Sequence, residues 1–356
     1  MIYSIVPRLA PSIDGIGDYA LNLARQLRKD FNVQTHFIVG YPEWNGELEI
    51  EGFSISQVLD SDSNQLINLL VDRPLPVLLN YVGYGYARRG CPIWLIEGLQ
   101  RWKSLYPQRS LITMFHEIYA FGLPWQSSFW LSPLQKNLAT RLVRLSDRVI
   151  TSKQSYADIL VTLSNGKHTQ INALPVFSTI GEPEQVRPLS DRQKQLVVFG
   201  GVNNRMRVYQ KSQAHLDYVC QKLDIQRILD LGTPTGQTPQ SIGNVPILEL
   251  GQLSAKEISN IMEDAIAGFL NYNSDFLGKS TIFSGYCSHG VIPCTVSGSK
   301  SPIDNLEMGK HYFSTNNQNC TLSLKTGQEI SDNAYAWYQN HKLSVHTHLF
   351  LNSLLE

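Results

Sequence analysis

Short apolar runs alternate with amphipathic stretches through the first half of the chain. The runs are rich in Ile, Leu, Val and aromatic residues, as buried strands are, and they cover 2–6, 33–39, 76–82, 111–115 and 148–151. Between them, apolar residues three or four positions apart predict helices over 17–29, 91–105 and 131–145. This alternation predicts a doubly wound sheet, in which parallel strands are joined by helical crossovers.

The alternation restarts after a polar stretch. Residues 178–195 carry Gly181, Pro183 and Pro188 without apolar periodicity, which is typical of a linker. Further strands are predicted at 196–199, 227–231, 245–250, 268–272 and 292–296, and helices at 208–223, 258–265, 280–289 and from Tyr335 to Leu355. We therefore predict an α/β protein with Rossmann-like domains over 1–177 and 196–332 that face a central cleft. The linker spans 178–195, and the helical segment over 333–356 is able to cross back to the first domain.

Length, charge and cysteine usage narrow the functional classes. The chain has 356 residues, more than the roughly 250–300 at which a single core stops growing, so two domains are expected. Its 30 basic residues balance 30 acidic ones, which gives no general attraction to nucleic acid. Five cysteines without a C-x-x-C pair predict neither disulfides nor zinc. With no secretory leader pattern and no apolar run of about 18 residues, we expect a cytoplasmic protein. We also expect it to use neither a metal nor a cofactor.

Two glycine loops each follow a predicted strand and precede a predicted helix. The first contains Gly15 and Gly17, flanked by acids that include Asp18, and the second runs from Gly278 to Thr281. A strand, a glycine turn and a helix start form an anion site, because backbone N–H groups and the positive end of the helix dipole meet there. The second loop is not a P-loop, because Asn273 stands where that motif requires glycine. Lys279 and Ser280 nevertheless suit a diphosphate.

Three further segments follow predicted strands, where doubly wound sheets bind ligands. Segment 200–211 contains Arg205, Arg207 and Lys211, segment 81–90 contains Tyr84, Tyr86 and Arg88, and segment 116–117 is His116-Glu117. Cations at a helix start oppose the helix dipole unless an anion binds there. Tyrosines beside glycines form flat amphipathic walls that suit a sugar ring. A solvated basic helix start, a packed tyrosine loop and a structural histidine are the ordinary alternatives.

An apolar stripe on the helix predicted over 131–145 has two interpretations. The stripe comprises Trp125, Phe129, Trp130, Leu134, Leu138, Leu142 and Leu145. Such a face can contact a membrane and collect a lipid-linked acceptor. Core packing is the more common cause of the same pattern, so a peripheral membrane contact stays open.

The ordered set of these segments resembles the GT-B glycosyltransferases, two-Rossmann-domain enzymes that use nucleotide sugars, of the retaining group 1 or family 4 type. The segments of the second half lie at 251–254, 267–270, 277–280 and 290–293, and those of the first half at 15–20, 115–117 and 146–152. The resemblance implies that His116 meets the donor sugar and that Arg205, with Arg207 or Lys211 as the second cation, neutralises the leaving diphosphate. Lys279 of the second glycine loop is expected to add its charge there. It also implies a glycan, lipid-linked or small-molecule acceptor. Asp18, Tyr84, Tyr86, Arg88 and Glu117 are the acceptor-side candidates.

The chain departs from that family at one motif. Many retaining members carry two glutamates before the helix-end glycine, and the corresponding positions are Leu277 and Gly285. The resemblance still implies a metal-independent transferase that moves a sugar to an acceptor hydroxyl, with retention favoured because the leaving phosphate can take the acceptor proton. Inversion would need a base, for which Asp14 and Asp18 are the nearest candidates. A nucleotide-sugar epimerase and a non-catalytic nucleotide- or glycan-binding protein remain alternatives.

Overall fold

The computed structural model of the protein describes residues 1–12, 14–71, 74–120, 127–317 and 321–355. The chain divides into two compact units. Unit 1 comprises Met1–Pro175 and Leu343–Glu356, and unit 2 comprises Val176–Lys342. Residues 178–195, which we predicted to be a linker, belong to unit 2, and its first strand already begins at Gln193.

Unit 1 is built on an eight-stranded sheet with the order β3-β4-β2-β1-β5-β6-β7-β8. The strands are β1 (Ile2–Val6), β2 (Thr35–Val39), β3 (Glu49–Ile50), β4 (Phe53–Gln57), β5 (Val77–Tyr81), β6 (Leu111–Phe115), β7 (Arg148–Thr151) and β8 (Asn172–Ala173). Neighbouring strands are parallel, except that β3 is antiparallel to β4. Every residue of β1, β5 and β6 is buried, as is typical of parallel sheets that helices cover on both faces.

The helices of unit 1 connect these strands. They are α1 (Gly15–Phe31), α2 (Ser63–Val71), α3 (Gly83–Tyr86), α4 (Ile93–Leu105), α5 (Ser127–Leu145) and α6 (Gln154–Ser164). Capping residues at both ends determine where α1 begins and ends. Asp14 is its N-cap, and Asn32 ends it in the left-handed conformation with φ 55°.

Unit 2 contains a seven-stranded sheet with the order β11-β12-β10-β9-β13-β14-β15. Its strands are β9 (Gln193–Phe199), β10 (Arg227–Leu231), β11 (Ser241–Ile242), β12 (Val245–Gly251), β13 (Ala265–Leu270), β14 (Ile292–Thr295) and β15 (Phe313–Ser314). Its helices are α7 (Val202–Lys211), α8 (Gln213–Lys222), α9 (Ala255–Asp264), α10 (Thr281–Ser288) and α11 (Leu324–Gln339). Without the short antiparallel β11, the order is that of a Rossmann sheet. The predicted fold class, two Rossmann-like α/β domains, is confirmed.

Two helices that we predicted to be continuous are broken, and those predictions were wrong. The helix predicted over 208–223 is α7 followed by α8, because Ser212 leaves helical geometry with φ −139° and ψ 18°. The helix predicted from Tyr335 begins earlier, at Leu324, and ends at Gln339, where the N–H of Asn340 turns back to the carbonyls of Trp337 and Tyr338. A last helix, α12 (Leu343–Leu355), then belongs to unit 1 and packs against α1.

Candidate functional site

In the sheet of unit 2, the order in which the chain adds strands reverses at β9. The chain passes from β9 to β10 on one side and later places β13 on the other side. In such sheets, ligands bind outside the carboxyl ends of the strands at this switch point. The segments that emerge there are Gly200–Gly201 after β9 and residues 271–280 after β13, which are two of the segments singled out from the sequence.

Gly200 brings these two segments together. Its φ is +129°, and a Cβ at this position would lie 2.5 Å from Cδ1 of Ile282, the second residue of α10. The turn after β9 therefore touches the first turn of α10. Gly201 is the N-cap of α7, is exposed, and has no atom within 4 Å of a Cβ built on it. The exposed start of α7 is the kind of helix end that accepts an anion.

Two lysines lie beside this switch point. Lys279 ends a 3₁₀ turn over Ser274–Lys279, and it is half-buried with its Nζ 5.7 Å from the ring centre of Phe276. Lys211 is the exposed last residue of α7. The next residue, Ser212, accepts a hydrogen bond from the side-chain amide of Asn271 at 2.7 Å, and Asn271 directly follows β13. This bond holds the end of α7 beside the carboxyl end of β13.

At the start of α10, hydrogen-bonding groups that we assigned to a phosphate already have partners within the protein. Ser280 is buried, and its Oγ accepts the N–H of Phe283 at 3.2 Å, so that it is the N-cap of the helix. The N–H of Ser280 is donated to the carbonyl of Leu277 at 2.9 Å. The expectation that this N–H binds phosphate is therefore wrong. Gly278 is also buried, and its carbonyl accepts the N–H of Val176, whereas Thr281 is half-buried.

Arg205 does not face solvent, in contrast to our expectation. Its side chain is 0% exposed and forms an ion pair with the fully buried Asp230. Its Nε donates to the carbonyl of Gly200 at 2.9 Å, and its other terminal nitrogen donates to the carbonyl of Thr233. The hydroxyl of Tyr209 donates to the second oxygen of Asp230 at 2.7 Å. Each of the three guanidinium nitrogens thus has an internal partner, and the group has no exposed surface that a diphosphate could reach.

In the sequence, Asp230 is the residue that indicates a buried partner for Arg205. It lies in the otherwise apolar strand β10, and a carboxylate buried there requires a cationic or hydrogen-bonding partner. Burial raises the pKa of Asp230, while Tyr209 and Arg205 oppose that shift. Arg205 consequently bridges the turns that follow β9 and β10 and holds Gly200 from inside the unit.

In unit 1 the switch point lies between β1 and β5, whose following segments touch. A Cβ on Gly85 would lie 2.7 Å from Cγ of Pro7, and one on Gly17 would lie 2.2 Å from the carbonyl oxygen of Arg8. Gly17 is therefore required by close packing of the backbone. Gly15 is exposed, with no atom within 4 Å of a Cβ built on it.

The first glycine loop is unsuited to a phosphate, contrary to our expectation. Asp14 places its Oδ1 2.8 Å from the N–H of Ile16 and 3.1 Å from that of Gly17, so its carboxylate occupies the position that an anion would take. Asp18 is exposed one residue further on. Desolvation and the charge of Asp14 raise the pKa of Asp18 to about 6. The N–H groups of Ile16 and Gly17 are therefore occupied, and Nη1 of Arg8 lies 3.6 Å from the other carboxylate oxygen of Asp14.

In segment 81–90, one of the two candidate tyrosines is buried and structural, and the other is exposed. Tyr86 is buried, and its hydroxyl lies 2.8 Å from the carbonyl of Asn80 and 3.1 Å from that of Ile5, which makes it wrong as an acceptor-site candidate. Tyr84 and Arg88 are exposed, as expected for a binding wall.

Gln135 is a residue that the sequence analysis missed. It is buried on α5, and its amide nitrogen donates to the hydroxyl of Tyr84 at 3.2 Å and to the carbonyl of Arg89 at 3.0 Å. Its amide oxygen accepts the N–H of Ala120 at 2.8 Å. Gln135 thus joins the segments that follow β5 and β6. A glutamine inside an amphipathic helix gives no sequence signal for this role.

His116 lies directly after β6 and is 5% exposed, whereas its neighbour Glu117 is exposed. Its Nε2 lies 3.2 Å from Oδ1 of Asn80, and the ring of Tyr19 meets its ring edge-on, with centres 4.9 Å apart. The hydroxyl of Tyr19 is 2.9 Å from Nδ1 of His346 on α12. Burial lowers the pKa of His346 to about 4, so this ring is neutral at pH 7.

The described residues show no cluster suited to binding a metal and no helix suited to crossing a membrane. Among them, no group of three or more His, Cys, Asp and Glu side chains is arranged to hold a metal. Cys91, Cys220, Cys287 and Cys294 are free, and Cys320 lies outside the described residues, as does Trp125. No helix in the described ranges is long and apolar enough to cross a membrane. A cavity of about 900 Å³ between residues 186–190 and α11 is lined by none of the candidate site residues.

Solved structures with a similar fold cover nearly the whole chain. No protein-family model and no curated sequence matches the chain. An α-glucosyltransferase solved with UDP and a 13-mer DNA is 12% identical, with a TM-score of 0.62 and all of both chains covered. A lipopolysaccharide outer core galactosyltransferase in its apo form is 9% identical, with a TM-score of 0.59 over 100% of this chain and 99% of the other.

An enzyme with a different reaction has a similar fold. A putative UDP-N-acetylglucosamine 2-epimerase from Listeria monocytogenes is 13% identical, with a TM-score of 0.55 over 99% of this chain and 97% of the other. At these identities the likeness concerns the fold. The chain has the GT-B fold, and the resemblance inferred from its sequence is confirmed at that level.

Proposed function

We propose that the protein is a glycosyltransferase that moves a sugar from a nucleoside diphosphate sugar to an acceptor hydroxyl. The observation that carries the proposal is the switch point of unit 2. There the turn at Gly200 touches the first turn of α10, and Lys211 and Lys279 lie beside it. An exposed helix start and two cations at the ligand edge of a Rossmann sheet suit a diphosphate. The UDP-bound glucosyltransferase with the same fold supports this assignment.

The chemistry that we propose is electrostatic. As the bond from the anomeric carbon to the diphosphate breaks, negative charge develops on the leaving phosphate, and preorganised cations lower the energy of that transition state. Lys279 and Lys211 supply this charge, and no metal is needed in the proposal. Arg205 acts indirectly, by holding Gly200 in place.

Unit 1 provides the acceptor side in this proposal. Asp18, Glu117, Tyr84 and Arg88 are exposed on it, and His116 is the group that meets the sugar. Because Asp14 already occupies the first N–H groups of α1, this side binds hydroxyl groups in preference to phosphates. We propose retention, with the leaving phosphate accepting the acceptor proton. An inverting course would instead use a carboxylate base, and Asp18, with its pKa raised to about 6, is suited to it.

The acceptor that we favour is a glycan or a lipid-linked molecule. On α5, Trp130 is 74% exposed, Phe129 41% and Leu134 39%, and Lys136 is exposed on the same helix. Exposed aromatic residues beside a cation suit the interface of an anionic membrane. With free cysteines throughout its described part, we place the protein in the cytoplasm, in peripheral contact with the membrane.

Product analysis separates transfer from its alternatives. The protein is incubated with UDP-, GDP-, ADP- and TDP-sugars, with and without simple glycans and glycolipids, and the products are identified by mass spectrometry. Transfer predicts free nucleotide together with an acceptor enlarged by one sugar. Rearranged sugar formed without any acceptor would identify an epimerase, the activity in the name of one protein of similar fold. Tight nucleotide binding without turnover across the panel would identify a binding protein.

A further inference from the structure

Asn80 is a fully buried amide between three strands of unit 1. It is the fourth residue of β5, and its neighbours are β1 on one side and β6 on the other. Its Nδ2 lies 3.4 Å from the carbonyl oxygen of Ile5 and 3.3 Å from Oγ of Ser4, and its Oδ1 lies 3.2 Å from Nε2 of His116. A buried amide is stable only when its donors and its acceptor are both satisfied.

The carbonyl of Ile5 fixes the orientation of this amide. A carbonyl oxygen only accepts hydrogen bonds, so the side of Asn80 that faces Ile5 must be its NH₂ group. The hydroxyl of Ser4 accepts or donates and is compatible with that orientation. The amide oxygen of Asn80 therefore faces His116, and a flipped amide would place two oxygens against each other.

The orientation of Asn80 in turn fixes the proton on His116. Because Oδ1 only accepts, Nε2 of His116 must carry a hydrogen. In the neutral ring, Nδ1 is then an acceptor. The ring of Tyr19, edge-on at 84° to that of His116, restricts its tilt. Tyr19 is itself held by His346, whose Nε2 donates to the carbonyl of Pro175 at 2.9 Å and whose Nδ1 accepts the tyrosine hydroxyl.

We propose that Asn80 is a positioning residue that holds His116 in the Nε2–H tautomer, which makes Nδ1 the accepting nitrogen of the neutral ring. The tautomer is a property of unit 1 and is measurable without substrate. That the ring meets a sugar hydroxyl is part of the proposed function, on which only the activity measurements below rest. A neutral ring of the opposite tautomer would present a donor at Nδ1 and would favour a different substrate group.

Nitrogen NMR of the ring tests the tautomer directly. The protein is labelled with ¹⁵N-histidine, and the His116 signals are assigned among its nine histidines by their loss in His116→Gln. At a pH where the ring is neutral, wild type should show a protonated Nε2 and an unprotonated Nδ1. A protonated Nδ1 in wild type would overturn the proposal before any variant is made.

Three variants test the role of Asn80 itself. Asn80→Leu keeps the size of the side chain and removes the acceptor, so the His116 signals should shift towards a mixture of tautomers. Asn80→Asp keeps an acceptor for the Nε2 hydrogen but loses the donor to the carbonyl of Ile5, so at a pH where the ring is neutral it should keep the wild-type tautomer in a less stable protein. Ser4→Ala removes the hydroxyl beside Asn80 and leaves the bond to His116, so it should match wild type. If Asn80→Leu keeps the wild-type tautomer of His116, the proposal is wrong. If Asn80→Leu does not fold, the proposal is wrong when Asn80→Asp loses the wild-type tautomer.

Activity measurements separate this inference from the proposed function. In Asn80→Leu, kcat for transfer should fall by up to about tenfold, the value of one hydrogen bond, while nucleotide affinity stays unchanged. Asn80→Asp should recover most of the loss. If the wild-type protein transfers no sugar, this counts against the proposed function. The NMR spectrum alone then tests whether Asn80 sets the tautomer of His116. An unchanged kcat in a variant with mixed tautomers would overturn the claim that the tautomer matters to the reaction.

Discussion

The guanidinium of Arg205 and the carboxylate of Asp230 form an ion pair with no exposed surface. Removal of one partner from a buried pair leaves an uncompensated charge, which is far more damaging than the loss of a surface contact. The chemical nature of Arg205, a cation after a strand, was evident from the sequence. Its direction was not, because a helix start can turn an arginine either inward to an acid or outward to a ligand.

Arg205→Met should therefore destabilise the protein without any ligand, by about 3–5 kcal/mol. Arg207→Met, on the exposed side of the same helix, should change stability by less than about 0.5 kcal/mol. Urea unfolding of both variants measures the difference. Equal stability of Arg205→Met and wild type would show that Arg205 is not a structural residue.

His346 makes the stability of unit 1 depend on pH. Its pKa is lowered to about 4 by burial, from an ordinary value of 6.5, so below pH 6.5 the unfolded chain takes up a proton that the folded chain refuses. Stability should fall as pH drops from 6.5 towards 4, by up to about 1.4 kcal/mol per pH unit from this group. His346→Gln should make the profile measured by thermal melting shallower, and buried His289, whose pKa burial also lowers to about 4, keeps part of the slope. The same change at exposed His348 should leave the profile as in wild type, and a profile unchanged by His346→Gln would contradict this account.

At the scale of elements, α1 illustrates how much the sequence determines locally. Asp14 and the glycines predicted a helix start after a strand, and the helix begins there. The same residues misled us about the ligand, because the N-cap carboxylate already binds the N–H groups that we assigned to a phosphate. Which of two anions occupies a helix start depends on the side-chain rotamer, which a sequence pattern does not contain.

Gly17 and Gly15 form a matched pair for testing this packing. Gly17→Ala places a methyl group 2.2 Å from the carbonyl oxygen of Arg8 and should cost about 1–3 kcal/mol, because backbone must move. Gly15→Ala meets no atom within 4 Å and should be neutral or stabilising by up to about 1 kcal/mol. Chemical denaturation of the two variants provides the comparison. Similar values for both would contradict the close approach of residues 8 and 17.

The exposed aromatic residues of α5 predict vesicle binding. Trp130→Ala should reduce co-sedimentation with anionic phosphatidylglycerol vesicles by about tenfold, because a largely exposed indole loses its burial in the interface. Leu105→Ala, which removes an exposed apolar side chain from the end of α4, should leave binding unchanged. Equal binding of Trp130→Ala and wild type would exclude α5 as the membrane contact.

At the scale of the whole molecule, the alternation of strands and helices predicted the main strands of both sheets, because most of these strands are continuous apolar runs. The strands β3, β4, β8, β11 and β15 were not predicted. The division of the chain was harder to predict. Residues 178–195 lack periodicity yet belong to unit 2, and α12 follows unit 2 in sequence but packs in unit 1. These assignments depend on contacts between residues far apart in the chain, such as Tyr19 with His346 and Leu189 with Gln328, which local patterns do not encode.

The central claim is that unit 2 binds a nucleoside diphosphate at Lys279, and thermal unfolding with UDP, GDP, ADP or TDP tests it most directly. One nucleotide should stabilise wild type by about 2.7 kcal/mol at one hundred times its Kd. Lys279→Ala should lose most of that gain, and Lys222→Ala, on an exposed helix end elsewhere in unit 2, should keep it. A Lys279→Ala response equal to that of wild type, or no response of wild type to any of the four nucleotides, would contradict the account.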